Sequence, residues 1–122
     1  MTIVTFEDVI AWQKGRELYI NLYKDLVHSK NYSYKDQLLR ATLSITNNIA
    51  EGFDRNRKKE LRQFLVISRG SAAEVRSMLH IAKDLNLIDV AKQKNYIDLS
   101  KDISRLLTGF ITSINKQLTE HR

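Results

Sequence analysis

Four cations at seven-residue spacing, Arg62, Arg69, Arg76 and Lys83, are the residues of this chain whose type and placement best fit a chemistry. On a helix that spacing returns each side chain to nearly the same angle, so they form one line with rungs about 10.5 Å apart. Lys58 and His80 fall in the same arc, which holds no acidic residue; Glu60 and Glu74 point away and Asp84 lies at its edge. Arg55, Arg57 and Lys59 carry the charge around the start of the same helix. From Arg55 to Arg76 seven basic residues face two acidic ones, so little in the segment neutralises the charge. A cationic line roughly 30 Å long can neutralise several phosphates, and the chemistry it suits is salt-dependent nucleic-acid binding. No aromatic residue interleaves with the line, so backbone and shape recognition is expected rather than base stacking. The competing reading is a solvated face, or one paired with acids of a neighbouring subunit.

A second constellation is polar. Gln37, Arg40, Ser44, Asn47, Asn48 and Glu51 share one arc of another helix. Leu38, Ala41, Ile45 and Ile49 flank this stripe on one side, and Leu39, Leu43 and Ala50 on the other. A helix that covers only its own core needs an apolar arc of about 100°, and this one offers roughly twice that. The excess predicts contact with a second body as well as with its own bundle. The stripe itself reads as a solvated or hydrogen-bonded assembly surface, with any buried part of Arg40 or Glu51 paired.

Catalytic patterns are sparse. Arg76 and His80 share a helix face, where a histidine can act as acid or base near neutral pH. Their gap of three residues is shorter than in RNA-cleaving bundles of the HEPN type, and the plain reading is an exposed pair. Asp25-x-x-His28 is the nearest approach to a di-iron motif and reads as a surface pair at a helix end. His121 belongs to a fraying tail. With no Cys there is neither disulfide nor thiolate metal site, and no Gly-rich phosphate loop is present. The expectation is a non-enzyme with no cofactor, no metal and no small-molecule substrate.

The elements that must position these residues are helices. The 122 residues include no Pro and only four Gly, so little interrupts a long helix, and no strand-type alternation is sustained. A length of 122 residues suits one domain, residues 1–122, with a single core. The net charge of +6 agrees in sign with a polyanionic partner. No signal peptide or membrane span is legible, so a cytoplasmic protein away from membranes is expected. Helices are predicted at about 6–27, 34–52, 57–85 and 90–119. Thr5 and Asp8 have capping-box spacing, Ser33, Asn56 and Asp89 are the expected caps of the later helices, and Gly52 is the expected stop of the second. Ala41, Gly70, Ala72 and Ala73 are small enough for close helix approach. Short connections make sequential helices antiparallel neighbours, giving an all-α, antiparallel up-down-up-down four-helix bundle.

Several of these segments resemble the 23S rRNA intervening-sequence protein family, also called the four-helix-bundle protein family. The likeness rests on Gln37-Leu38-x-Arg40, on Ser44-Ile45-x-x-Asn48-Ile49-Ala50-Glu51-Gly52, and on Gly70-Ser71-Ala72-x-Glu74. The opening Phe6-x-x-Val9-x-Ala11-Trp12-Gln13-Lys14 adds to it. Thr42 stands where Ala is expected, and the first connection lacks a Pro. The resemblance implies small prokaryotic bundles that assemble into ring-like homopentamers, some encoded within large-subunit rRNA genes. A related branch, the accessory protein of diversity-generating retroelements, is basic and works with RNA and a reverse transcriptase. No enzymatic activity is implied. A protein-interaction scaffold that binds no nucleic acid is the main alternative, and an RNA-cleaving enzyme using Arg76 and His80 a remote one.

Overall fold

The computed structural model describes residues 3–120, so the His121 expectation lies outside the described residues. Four helices follow a single 3-10 turn at Phe6–Asp8: α1 (Ile10–Leu26), α2 (Tyr32–Asp54), α3 (Lys58–Asp84) and α4 (Val90–Glu120). No strand occurs among the described residues.

The helix ends depart from expectation in instructive ways. Asp8 Oδ2 does accept the backbone N–H groups of Val4 and Thr5, at 2.9 and 3.1 Å, but this bracket closes the 3-10 turn. Those two bonds hold the Asp8 carboxyl below its ordinary pKa. An extended Val9 then intervenes before α1 begins. Asn31, not Ser33, caps α2 by accepting the Tyr34 N–H at 3.4 Å. Gly52 does not stop α2; the helix runs on to Asp54. Asn56 takes φ of 60° as the link residue, and the N-cap of α3 is Arg57. At the far end of α3, Asn86 adopts φ of 59°. The Asn86 and Leu87 amides there return to the Lys83 and Ala82 carbonyls, a Schellman closure. Asp89 caps α4 as expected, accepting the Lys92 N–H at 2.8 Å.

Each helix packs on its neighbours in sequence, and α1 closes against α4. Along α2 and α3 the contacts run in opposite order: the Tyr34 hydroxyl donates to the Met78 carbonyl at 2.6 Å, and Ser44 Oγ lies 2.9 Å from Ser71 Oγ. The core is built of Leu18, Leu22, Leu26, Leu38, Ile45, Ile49, Leu65, Val75, Leu79, Ile103 and Leu107, all fully buried. On α3 the core side chains are Leu65, Ala72, Val75, Met78, Leu79 and Ala82, with Leu61 partly buried at their edge. Trp12 packs at the rim of the core, edge-on to Phe6, whereas Tyr23 is 47% exposed and stacks on Tyr19.

Close helix approach falls on other glycines than Gly70. A Cβ at Gly52 would stand 2.9 Å from Phe64 Cβ, and one at Gly15 would stand 2.9 Å from Thr46 Cγ2. Gly70 has nothing within 4 Å and Ala73 is exposed, whereas Ala41 and Ala72 are buried as expected.

Candidate nucleic-acid interface

Helix α3 carries the cationic line, and the seam between α3 and α4 aims two of its rungs. Arg62 donates to Asn115 Oδ1 at 2.7 Å, and Arg69 to Thr108 Oγ1 at 3.3 Å. Both acceptors are neutral, so each guanidinium is positioned while its charge stays uncompensated and donors remain for another acceptor. Arg76 and His80 are exposed, and neither has a hydrogen-bond partner among the described residues. Lys83 approaches Asp84 at 3.8 Å, a surface pair worth little.

At the start of α3, Arg57, Lys58 and Lys59 are exposed, and the Arg55 guanidinium lies over the Phe64 ring at 5.3 Å from its centre. Helix N-termini carry partial positive charge, so cations gathered there cost stability unless an anion joins them. Glu60 is the one acid in that first turn. The expected nucleic-acid residues therefore lie along one helix and at its N-terminal end.

The polar stripe of α2 divides. Gln37, Arg40, Asn47 and Glu51 are exposed, whereas Ser44 and Asn48 are drawn into the α2–α3 seam. Asn48 Nδ2 donates to the Ser44 carbonyl at 2.8 Å and to Ser44 Oγ at 2.9 Å, which completes a small network with Ser71. Ser68, fully buried, donates to the Ile45 carbonyl at 2.8 Å in the same seam. Of the two apolar flanks, Leu38, Ala41, Ile45 and Ile49 enter the core, while Leu43 stays 39% exposed.

One polar cluster was not anticipated. Asp25, read as a partner of His28, instead joins α1 to α4: it accepts the Tyr96 hydroxyl and pairs with Lys92 Nζ at 2.8 Å. Burial first, then Asp25, pushes the Tyr96 phenol well above its ordinary range, and Asp25 raises Lys92. The change of partner follows from geometry, because His28 lies beyond the end of α1 and is exposed. No group of three or more His, Cys, Asp or Glu able to hold a metal occurs among the described residues. None of their helices is long and apolar enough to cross a membrane.

Composition and fold together define a class: basic, all-α proteins of four long helices. Residues 7–109 match the signature of the 23S rRNA-intervening sequence protein family, and the chain belongs to that family. A similar solved structure is a protein of unknown function from the S23 ribosomal protein family of Bacteroides thetaiotaomicron VPI-5482. It is 27% identical, with a TM-score of 0.76 over 83% of this chain and 97% of that one. None of the curated proteins matches the sequence.

Proposed function

We propose that this chain is a non-enzymatic, up-down-up-down bundle that assembles into a ring of copies, a homopentamer by family resemblance. In this reading it binds RNA or an RNA-containing complex through the basic face of α3. The observation that carries it is the pairing of Arg62 and Arg69 with neutral Asn115 and Thr108, which leaves the positioned charges unspent. The test is affinity for a structured RNA at low and moderate salt, before and after the triple reversal Arg62→Glu, Arg69→Glu, Arg76→Glu. Loss of at least about a hundredfold at low salt is expected, since each phosphate contact removed takes its share of counterion release with it. Unchanged binding by the triple variant overturns the site.

A second reading, a scaffold for protein partners, is favoured by exposed apolar side chains: Ile20 and Tyr23 on α1, Leu43 on α2, and Ile67, Ile81 and Leu85 on α3 and its cap. It predicts a stable oligomer without nucleic acid. Native mass with the ratio of absorbance at about 260 and 280 nm separates the two, because bound RNA of the kind described by counterion release is lost as salt rises.

A further inference from the structure

The two arginine bonds fix more than two side chains. Arg62 meets Asn115 and Arg69 meets Thr108, so a step of seven residues up α3 matches a step of seven down α4. Carried onward, this register sets Arg76 level with Lys101 and Lys83 level with Lys94. Lys94, Lys101, Thr108 and Asn115 repeat at seven-residue spacing, as the α3 rungs do. Lys94 and Lys101 are both exposed. Read on α4 alone they belong to a face mixed with Asp98, Asp102 and Arg105, and Asp102 is already bonded to Arg105. Across the seam they continue the cationic surface of α3, where Asp84 stands 3.8 Å from Lys83.

We propose that Lys94 and Lys101 form a second cationic rail beside the Arg62–Lys83 line, and that the α3–α4 seam takes two phosphate rows of a nucleic acid double helix. The inference rests on the proposed polyanion binding by α3 and names the form of the ligand. Packed helices lie about 8–10 Å apart, so the rails are two separate rows of charge. A single strand offers one row of phosphates; a duplex holds two rows in fixed relation across a groove. The aromatic platforms that single-strand binding uses are absent from the seam: Phe64 lies under Arg55, Phe110 packs edge-on to Phe53, and Tyr96 is turned to Asp25. The exposed tyrosines, Tyr23 and Tyr32, are on α1 and α2.

The experiment titrates the full chain with a short RNA duplex, the DNA duplex of the same sequence, and one separated RNA strand. It compares the wild type with Lys94→Glu/Lys101→Glu, with neutral Lys94→Gln/Lys101→Gln, and with the control Lys24→Glu on α1; thermal melts check that each variant folds. Expected are duplex binding at least about tenfold tighter than strand binding, a drop of about tenfold or more in the Glu pair, and a salt slope reduced by roughly two in the Gln pair. Lys24→Glu leaves the affinity nearly unchanged. Tighter binding of either duplex supports the proposal, and the better of the two identifies the backbone. Strand binding equal to duplex binding overturns the double-helix assignment. A folded Lys94→Glu/Lys101→Glu variant that binds normally, while the α3 triple reversal does not, overturns the second rail and leaves the α3 reading standing. Retained binding in both variants overturns both, and a wild type that binds none of the three probes does the same.

Discussion

Helix α3 is shared by two seams built from opposite materials. Toward α2 it offers Ser68, Ser71 and the Phe64 flank that receives Gly52, with hydroxyls satisfied at 2.8 and 2.9 Å. Toward α4 it offers Arg62 and Arg69, which reach across an exposed surface to side-chain oxygens. The first seam brings backbones close and closes over its polar atoms, and no buried side-chain N or O among the described residues lacks a partner. The second packs as extensively, and long, half-exposed cations bridge its rim. Both seams hold the bundle together to a similar extent, but only the second keeps hydrogen-bonding capacity in reserve.

The contrast breaks first at Gly52. Gly52→Ala sets a Cβ against Phe64 and Leu61, and a loss of about 1–3 kcal/mol is expected from overpacking. An unfolding midpoint that does not fall in a thermal melt would show the α2–α3 seam to be looser than described. Next is the α4–α1 seam, which Asp25 bridges to Lys92 and Tyr96. Tyr96→Phe removes the hydroxyl that Asp25 accepts and should cost about 1–2 kcal/mol in urea titration near neutral pH. Tyr96 has its pKa raised on folding, so its contribution is complete below the unfolded phenol value of about 10. It is lost as pH rises through the folded value, so above neutrality the gap between wild type and variant should narrow only in strong alkali. A gap that closes between neutrality and the unfolded phenol value would contradict this assignment.

Gly70→Ala carries the opposite sign to Gly52→Ala. With nothing within 4 Å and a helical backbone, the added methyl should stabilise by about 0.5–1 kcal/mol. Destabilisation there would mean that another body lies against α3. The smallest stability effect belongs to the open seam: Asn115→Ala with Thr108→Ala should change stability by less than about 0.5 kcal/mol. Its signature is in binding, a weakening of RNA affinity by about a few-fold as the arginines lose their fixed aim. A large fall in stability would place this seam with the closed ones.

Helix number and approximate spans were readable from the absence of Pro and the recurrence of Leu and Ile, as was the cationic line along α3. What escaped depended on partners distant in sequence. Gly52 has the local look of a helix stop, and only the approach of Phe64 makes it a packing residue inside α2. Gly70 has the look of a packing residue, and nothing comes near it. Asp25 stands three residues from His28, but its real partners are on α4. For Thr108 and Asn115 a signal did exist: their seven-residue spacing with Lys94 and Lys101 mirrors that of the arginines.

The closure of α1 against α4 also orders events in time. The other three seams join helices consecutive in sequence, whereas the bonds from Asp25 to Lys92 and Tyr96 span 67 and 71 positions. Linking ends so far apart carries the largest loop entropy in the fold. Locally paired helices gather quickly, so this clasp is the natural last step of folding. The same clasp is the natural first place for the ring of helices to part, and amide exchange should be quicker along α1 than along α3, whose two seams are the more extensive.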